Sequence, residues 1–186
     1  LIDIVDVVGF VCMTRADDIY FSTKKALLRL GIEPEFIVPN IEGDRVRDWA
    51  IDDPKYACFP YDDALNPFMT QSVEQFLWPH RTRLWLRREP NGNHMEIGLT
   101  WYEWSRFQRE RFRSPLSIAF AEVATHNHFI LDRGGKVFNR TSPVIKLPAK
   151  TAEANHLALV GLLNSSIACF WIKQVFHCKG STVDTR

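Results

Sequence analysis

Apolar positions fall in short clusters separated by turn residues over most of the chain, a pattern that predicts many short strands with a few helices among them. Residues 4–21 alternate apolar runs with breaks and read as strands, the last being Asp18-Ile19-Tyr20-Phe21. Ser22 and Thr23 are helix-capping types ahead of a short helix, Lys24 to Leu30, which Gly31 is placed to end. Phe36-Ile37-Val38 reads as a buried strand closed by Pro39-Asn40. The Pro/Asp-rich stretch from Asp52 to Asn66 reads as strand and loop, because Pro54, Pro60 and Pro67 each remove a backbone donor.

The strongest helical period runs from Ser72 to Glu89. Val73, Phe76, Leu77, Leu84 and Leu86 form its apolar stripe, Arg81, Arg83, Arg87 and Arg88 its polar side, and Pro79 is expected to kink or divide it. A turn at Asn91-Gly92-Asn93 leads to the aromatic run Trp101-Tyr102-Glu103-Trp104. Strands are then expected at Leu116 to Val123, His128 to Leu131, Val137-Phe138 and Val144-Ile145, with a turn at Asp132-Arg133-Gly134-Gly135. In the last element, Glu153 to Ile167, Leu157, Val160, Leu163 and Ile167 recur at helical spacing behind Thr151 as cap, and the apolar pattern continues through Phe170, Trp171, Val175 and Phe176. Strands with interspersed helices, without regular βαβ alternation, define an α+β fold.

Composition narrows this further. At 186 residues with 46% hydrophobic and 24% charged residues, the chain fits one well-packed domain or a lobe of something larger, neither disordered nor membrane-spanning. No apolar run approaches the ~18–20 residues of a spanning helix. The opening Leu1-Ile2-Asp3-Ile4 has no initiator Met and no signal-peptide features, and the end has no closing element, so a fragment of a larger protein is expected. Cys12, Cys58, Cys169 and Cys178 show no CxxC pairing and read as reduced thiols in a cytoplasmic protein. Net charge is +1, yet residues 1–75 hold 7 Lys/Arg against 14 Asp/Glu, and residues 76–186 hold 16 against 8. Either the second part builds a basic face, or the two parts neutralise each other within one fold.

Several groupings invite chemistry. Asn66-Pro67-Phe68 touches on the catalytic loop of adenine methyltransferases but lacks its second Pro, and no glycine-rich cofactor turn precedes it, so it reads as a loop. His126 and His128, with His177 and Cys178, lack the tight spacing of a structural metal site; on a strand His126 and His128 would share a face, and they read as a polar strand end ahead of a metal pair. In Asp132-Arg133-Gly134-Gly135-Lys136 the glycines permit positive φ and expose N–H groups that, with Arg133 and Lys136, suit a phosphate; the plain alternative is a hairpin turn. Trp101, Tyr102, Trp104 and Phe107 interleaved with Arg106, Arg109, Arg111 and Arg113 have the look of a nucleic-acid surface, although one or two of these rings are expected in the core. No catalytic triad or carboxylate pair is legible from spacing.

Taken in order, these motifs resemble the target recognition domains of single-chain adenine-specific DNA methyltransferases, above all the phage growth limitation (BREX-type) enzymes. The resemblance rests on Phe36 to Pro39, Gly43 to Trp49, the arginine-ended segment Phe76 to Arg88, Trp101-Tyr102-Glu103 and Pro115 to Ile118. It continues through Phe129 to Leu147 and the tail Leu162-Leu163-Asn164-Ser165-Ser166 to Lys173. It implies a parent that transfers methyl from S-adenosylmethionine to adenine N6 in phage defence, with residues 1–186 as one target recognition domain that carries neither catalytic nor cofactor-binding residues. Its partners would be double-stranded DNA, the parent's methyltransferase domain and other defence subunits. The expected DNA contacts are Arg81, Arg83, Arg87, Arg88, Arg106, Arg109, Arg133, Lys136, Arg140 and Lys146. A protein-docking module of a defence complex is the alternative; a nuclease is the weakest reading, since no compact acidic cluster stands out.

Overall fold

The computed structural model describes residues 4–47 and 49–176, with the backbone of the strands Cys178–Lys179 and Thr182–Asp184. The fold is α+β, and the chain divides into two units that each draw on separated stretches. Leu1–Val11, Ile41–Pro54 and Gln108–Arg186 form a sheet–helix unit; Cys12–Asn40 and Lys55–Phe107 form an aromatic unit. Neither follows the charge division at residue 75.

The sheet–helix unit is built on four antiparallel strands in the order Val7–Gly9, Val144–Lys146, Ser117–Phe120, Phe129–Asp132. Register places Ile118 opposite both Ile145 and Leu131, and Phe120 opposite Phe129, whose ring it stacks on at 5.4 Å. One face of this sheet joins Leu159, Val160, Leu163 and Ile172 in a single core. Gly43 lies so close to a turn of the same unit that a Cβ there would collide with the Thr141 carbonyl, while its N–H donates to Thr141 Oγ1 at 2.9 Å. That contact requires the glycine of the Gly43-Asp44-Arg45 motif.

The expected final helix is two helices, Glu153–Leu163 and Ser166–Val175, bent by 64°. Ala152 occupies the first cap without a side-chain bond, not Thr151. The break is built by the Asn164-Ser165 pair. Ser165 Oγ accepts from Ala168 N at 3.1 Å and starts the second helix. Asn164 meets Phe129 as a peptide would: Oδ1 accepts from its N–H at 2.9 Å and Nδ2 donates to its carbonyl at 2.7 Å. The buried stripe is His156, Leu159, Val160 and Leu163: Val160 and Leu163 are buried as expected, while Leu157 and Ile167 point outward. Among the described residues no single helix is long and apolar enough to cross a membrane; this bent pair passes by length and composition only.

In the aromatic unit, Lys55–Cys58 pairs antiparallel with Phe21–Ser22 on one side and Ile37–Ile41 on the other. Pro39 does not close the latter strand but sits within it, opposite Tyr56. Asp17–Tyr20 is a short helix, not a strand. Thr23 caps Lys24–Arg29 by accepting from Ala26 N, and Gly31 follows with φ +83°, as expected. Pro79 divides the long helical segment into Gln71–Leu77, a single 3-10 turn Trp78–His80, and Arg81–Trp85. Phe59, Tyr61, Trp104 and Phe107 pack mutually with ring centroids 4.7 to 5.8 Å apart. The Tyr61 hydroxyl accepts from Trp104 N at 2.8 Å.

Removing the Asn164 amide strands a strand N–H and carbonyl at once. Asn164→Ala is expected to cost roughly 1–3 kcal/mol, measured by denaturant unfolding. Asn164→Asp retains the acceptor but sets a charge against the Phe129 carbonyl, so it should do no better than alanine.

Candidate nucleic-acid interface

The ten expected DNA contacts separate into three groups. Arg87 and Lys146 are corrections: both are interior. Because the helix ends at Trp85, the chain reverses the sides expected of the next two residues, leaving Leu86 exposed and Arg87 only 6% exposed. Arg87 Nη1 donates to the Thr14 carbonyl at 2.7 Å, Nη2 to those of Glu103 at 2.7 Å and Trp101 at 3.0 Å, and Nε to that of Leu84 at 3.0 Å. The guanidinium also lies over the Tyr20 ring, and burial lowers its pKa from the usual arginine value. With its donor fork directed at carbonyls, it has no face left for a phosphate.

His94, fully buried beside Arg87, completes this network. Its Nε2 lies 3.1 Å from Ser105 Oγ, which donates to the Thr14 carbonyl at 3.2 Å, while Nδ1 lies 3.2 Å from the Thr100 carbonyl and 3.3 Å from Arg87 Nη2. Burial first, and the Arg87 charge second, hold its pKa below the usual imidazole range. Lys146, 3% exposed, donates to the carbonyls of Ser114 at 2.7 Å and Leu116 at 3.3 Å and to Ser117 Oγ at 2.5 Å. Burial pulls its pKa down to about 8.

The second group is paired with acids. Arg83 holds Asp18 through both guanidinium nitrogens, at 2.6 and 2.8 Å, keeping that carboxyl below its usual range. Glu89, with its side chain buried, is gripped by Arg106 at 3.2 Å and Arg15 at 3.1 Å. Arg133 meets Glu153 at 2.6 Å, both on the surface. Lys136 meets the buried Asp132 at 2.5 Å, and the other Asp132 oxygen accepts from Gly134 N at 2.9 Å. The Gly-Gly turn therefore surrounds a carboxylate of its own, which competes with any incoming phosphate for Gly134 N and Lys136.

The third group, apart from Arg109, faces solvent. Arg88 opens the small hairpin Arg88–Glu89 and Gly92–Asn93. Arg81 rests on the exposed Trp78 ring, 4.8 Å from its centroid. Arg140 stands in a turn shaped by Asn139, whose Oδ1 accepts from Thr141 N at 3.0 Å and Thr141 Oγ1 at 2.7 Å. Arg109 is half-buried. Nothing in the sequence singles out Trp78 as a surface ring except its place beside the helix-dividing Pro79. Trp101 and Trp104, from the run that looked like a stacking surface, are core residues.

Folding also dissolves the charge asymmetry. The sheet–helix unit holds 13 Lys/Arg and 12 Asp/Glu, the aromatic unit 10 and 10, so acids and bases from the two ends of the sequence balance within each unit. The other groupings resolve simply. Asn66 closes a turn on Asp62, and Phe68 stacks on Phe36 at 5.8 Å. His126 and His128 stand 6.3 Å apart; His177 lies outside the described residues, among which no His/Cys/Asp/Glu cluster suits a metal ion. Cys12, Cys58 and Cys169 are free thiols, and burial pushes Cys58 up to about 12.

No protein-family model matches the chain. Its fold is similar to part of the Type IIL restriction-modification enzyme MmeI, as seen in the structure of that enzyme in complex with DNA. The TM-score is 0.63 at 11% identity, over 96% of this chain and 23% of that one. In sequence the chain is 40% identical over 177 residues to the adenine-specific methyltransferase PglX of Streptomyces coelicolor, covering 93% of this chain and 15% of that protein. The resemblance drawn from the ordered motifs is thereby borne out. The chain spans less than a quarter of either relative.

Two measurements separate interior cations from surface ones. Arg87→Lys leaves buried carbonyls unmet and is expected to cost roughly 2–4 kcal/mol; Arg88→Ala is expected to leave the unfolding midpoint almost unchanged. His94, neutral in the folded state and depressed in pKa, makes folding more favourable above the unfolded value of 6.5. The unfolded chain binds the proton first, so stability should fall as pH drops through and below 6.5, until the folded pKa is reached. His94→Gln should flatten that part of the pH–stability curve.

Proposed function

We propose that this chain is the DNA target-recognition portion of an adenine-specific methyltransferase in phage defence. The observation that carries the reading is 40% identity to PglX over 93% of the chain, combined with a fold likeness to MmeI, a protein whose structure is of a complex with DNA. In this reading the parent transfers methyl from S-adenosylmethionine to adenine N6 in the cytoplasm. Cofactor and chemistry belong to its other parts.

Recognition divides between positioning and reading. Arg81, Arg88, Arg140 and Lys150 are exposed cations that suit phosphate oxygens. Arg83 and Arg133 exchange a surface carboxylate for a phosphate on docking, since exposed ion pairs hold weakly. The hairpin opened by Arg88 and the turn bearing Arg140 are the places from which a side chain reaches a base edge. An Arg paired bidentately with guanine supplies ~1–3 kcal/mol of discrimination. Arg87 and Lys146 act only by holding the fold.

A second reading, docking of another protein, has one observation in its favour: Leu162, Ile167, Phe170 and Trp171 are exposed on the helix pair, in a unit that is nearly neutral. Band-shift titration of the parent on cognate duplex at several salt concentrations distinguishes the two. DNA recognition predicts a steep loss of affinity with salt, and Arg88→Ala or Arg140→Ala should each flatten the log–log slope by about 0.9 if its side chain neutralises one phosphate. A salt-independent affinity, or unchanged slopes in both variants, rules against the proposed contacts.

A further inference from the structure

Helix Ser166–Val175 buries a single residue, Ile172, against its own unit. Its other large apolar side chains face outward: Ile167 is 79% exposed, Phe170 70%, Trp171 58% and Val175 46%. Leu162, at the end of the preceding helix, is 61% exposed. Beside them runs a groove of about 640 Å³, formed with the edge strand Val7–Gly9 and lined almost wholly by apolar groups, including Val5, Ile145, Leu163 and Phe176. A ten-residue helix gains little from its own backbone bonds and depends on burial of a face. This face is far more apolar than a free surface requires.

Two observations identify what covers it. The likeness to PglX covers 93% of this chain but 15% of that protein, and the likeness to MmeI 96% of this chain but 23% of that one, so in both relatives the fold is a small part of one long polypeptide. The helix pair also carries one acid and one base, Glu153 and Lys173. An anionic membrane surface calls for a cationic rim around such a face, and an electrostatically steered partner calls for a charged one; the helix pair offers neither, and the charged residue that lines the groove is the single acid Asp6. We propose that the apolar face of the helix pair and its groove form an intramolecular docking surface for another part of the same parent polypeptide, an apolar helix or strand outside these 186 residues. The inference rests on the reading of the chain as a portion of a longer methyltransferase.

The test uses the full-length parent with the photo-crosslinker p-benzoylphenylalanine in place of Phe170. The expected product is an adduct at monomer mass joining position 170 to a residue outside this stretch. An adduct at twice the monomer mass, one to lipid when anionic vesicles are present, one confined to this stretch, or no adduct overturns the proposal. Hydrogen exchange gives an independent readout. In the parent, Ile167→Asp with Phe170→Asp should speed exchange of the Ser166–Val175 amides at least about tenfold, while Ser117–Phe120, in the sheet, stays as protected as in the wild type. Equal exchange in both proteins also overturns it. Salt-dependent DNA binding, measured on the same samples, reports on the recognition reading separately: a failed crosslink with intact DNA binding removes the docking surface alone.

Discussion

The aromatic unit is organised around one buried cation. A guanidinium removed from water is costly unless its donors are met, and Arg87 meets carbonyls contributed by Thr14, Leu84, Trp101 and Glu103. Thr14 lies 73 positions from Arg87, and Trp101 and Glu103 lie 14 and 16, so a single side chain fixes the relative placement of three stretches. The Tyr20 ring and the neutral His94 close the space around it. Because Arg87 is held, its neighbour Arg88 leaves the interior at a defined point and begins a hairpin directed to solvent. Adjacent arginines thus have opposite physical roles.

Much of the local structure was legible in the sequence. Thr23 and Gly31 bracket a helix because capping and left-handed backbone are local requirements, and Pro79 divides a helix for an equally local reason. The strands around Ile118, Ile130 and Ile145 follow from runs of branched residues bounded by turns. What could not be read is what depends on distant partners. The end of a helix at Trp85, and not at Glu89, turned one expected phosphate contact into a core residue. Lys146 looked like a surface cation until Ser114 and Leu116 brought their carbonyls to it. Arg83 and Asp18 lie 65 positions apart and neutralise each other on one surface. A charge tally by halves of the sequence misleads for the same reason: each unit is assembled from both halves.

The family likeness, by contrast, gained physical content. Gly43 stands where no side chain fits, Asn139 shapes the turn bearing Arg140, and Asn164-Ser165 ends one helix, begins the next and ties both to the sheet. Motifs that carried the resemblance thus hold structural residues, and the exposed cations Arg88 and Arg140 lie within the same motifs.

The Asn164 amide has one more implication. Strand Phe129–Asp132 lies at the border of its sheet, where unpaired peptide groups ordinarily invite a foreign chain to add on. By occupying the Phe129 peptide with a side chain, the protein presents an end there that cannot be propagated, because an amide on a side chain has no next residue to offer. At that end the border strand is closed to addition of a further strand.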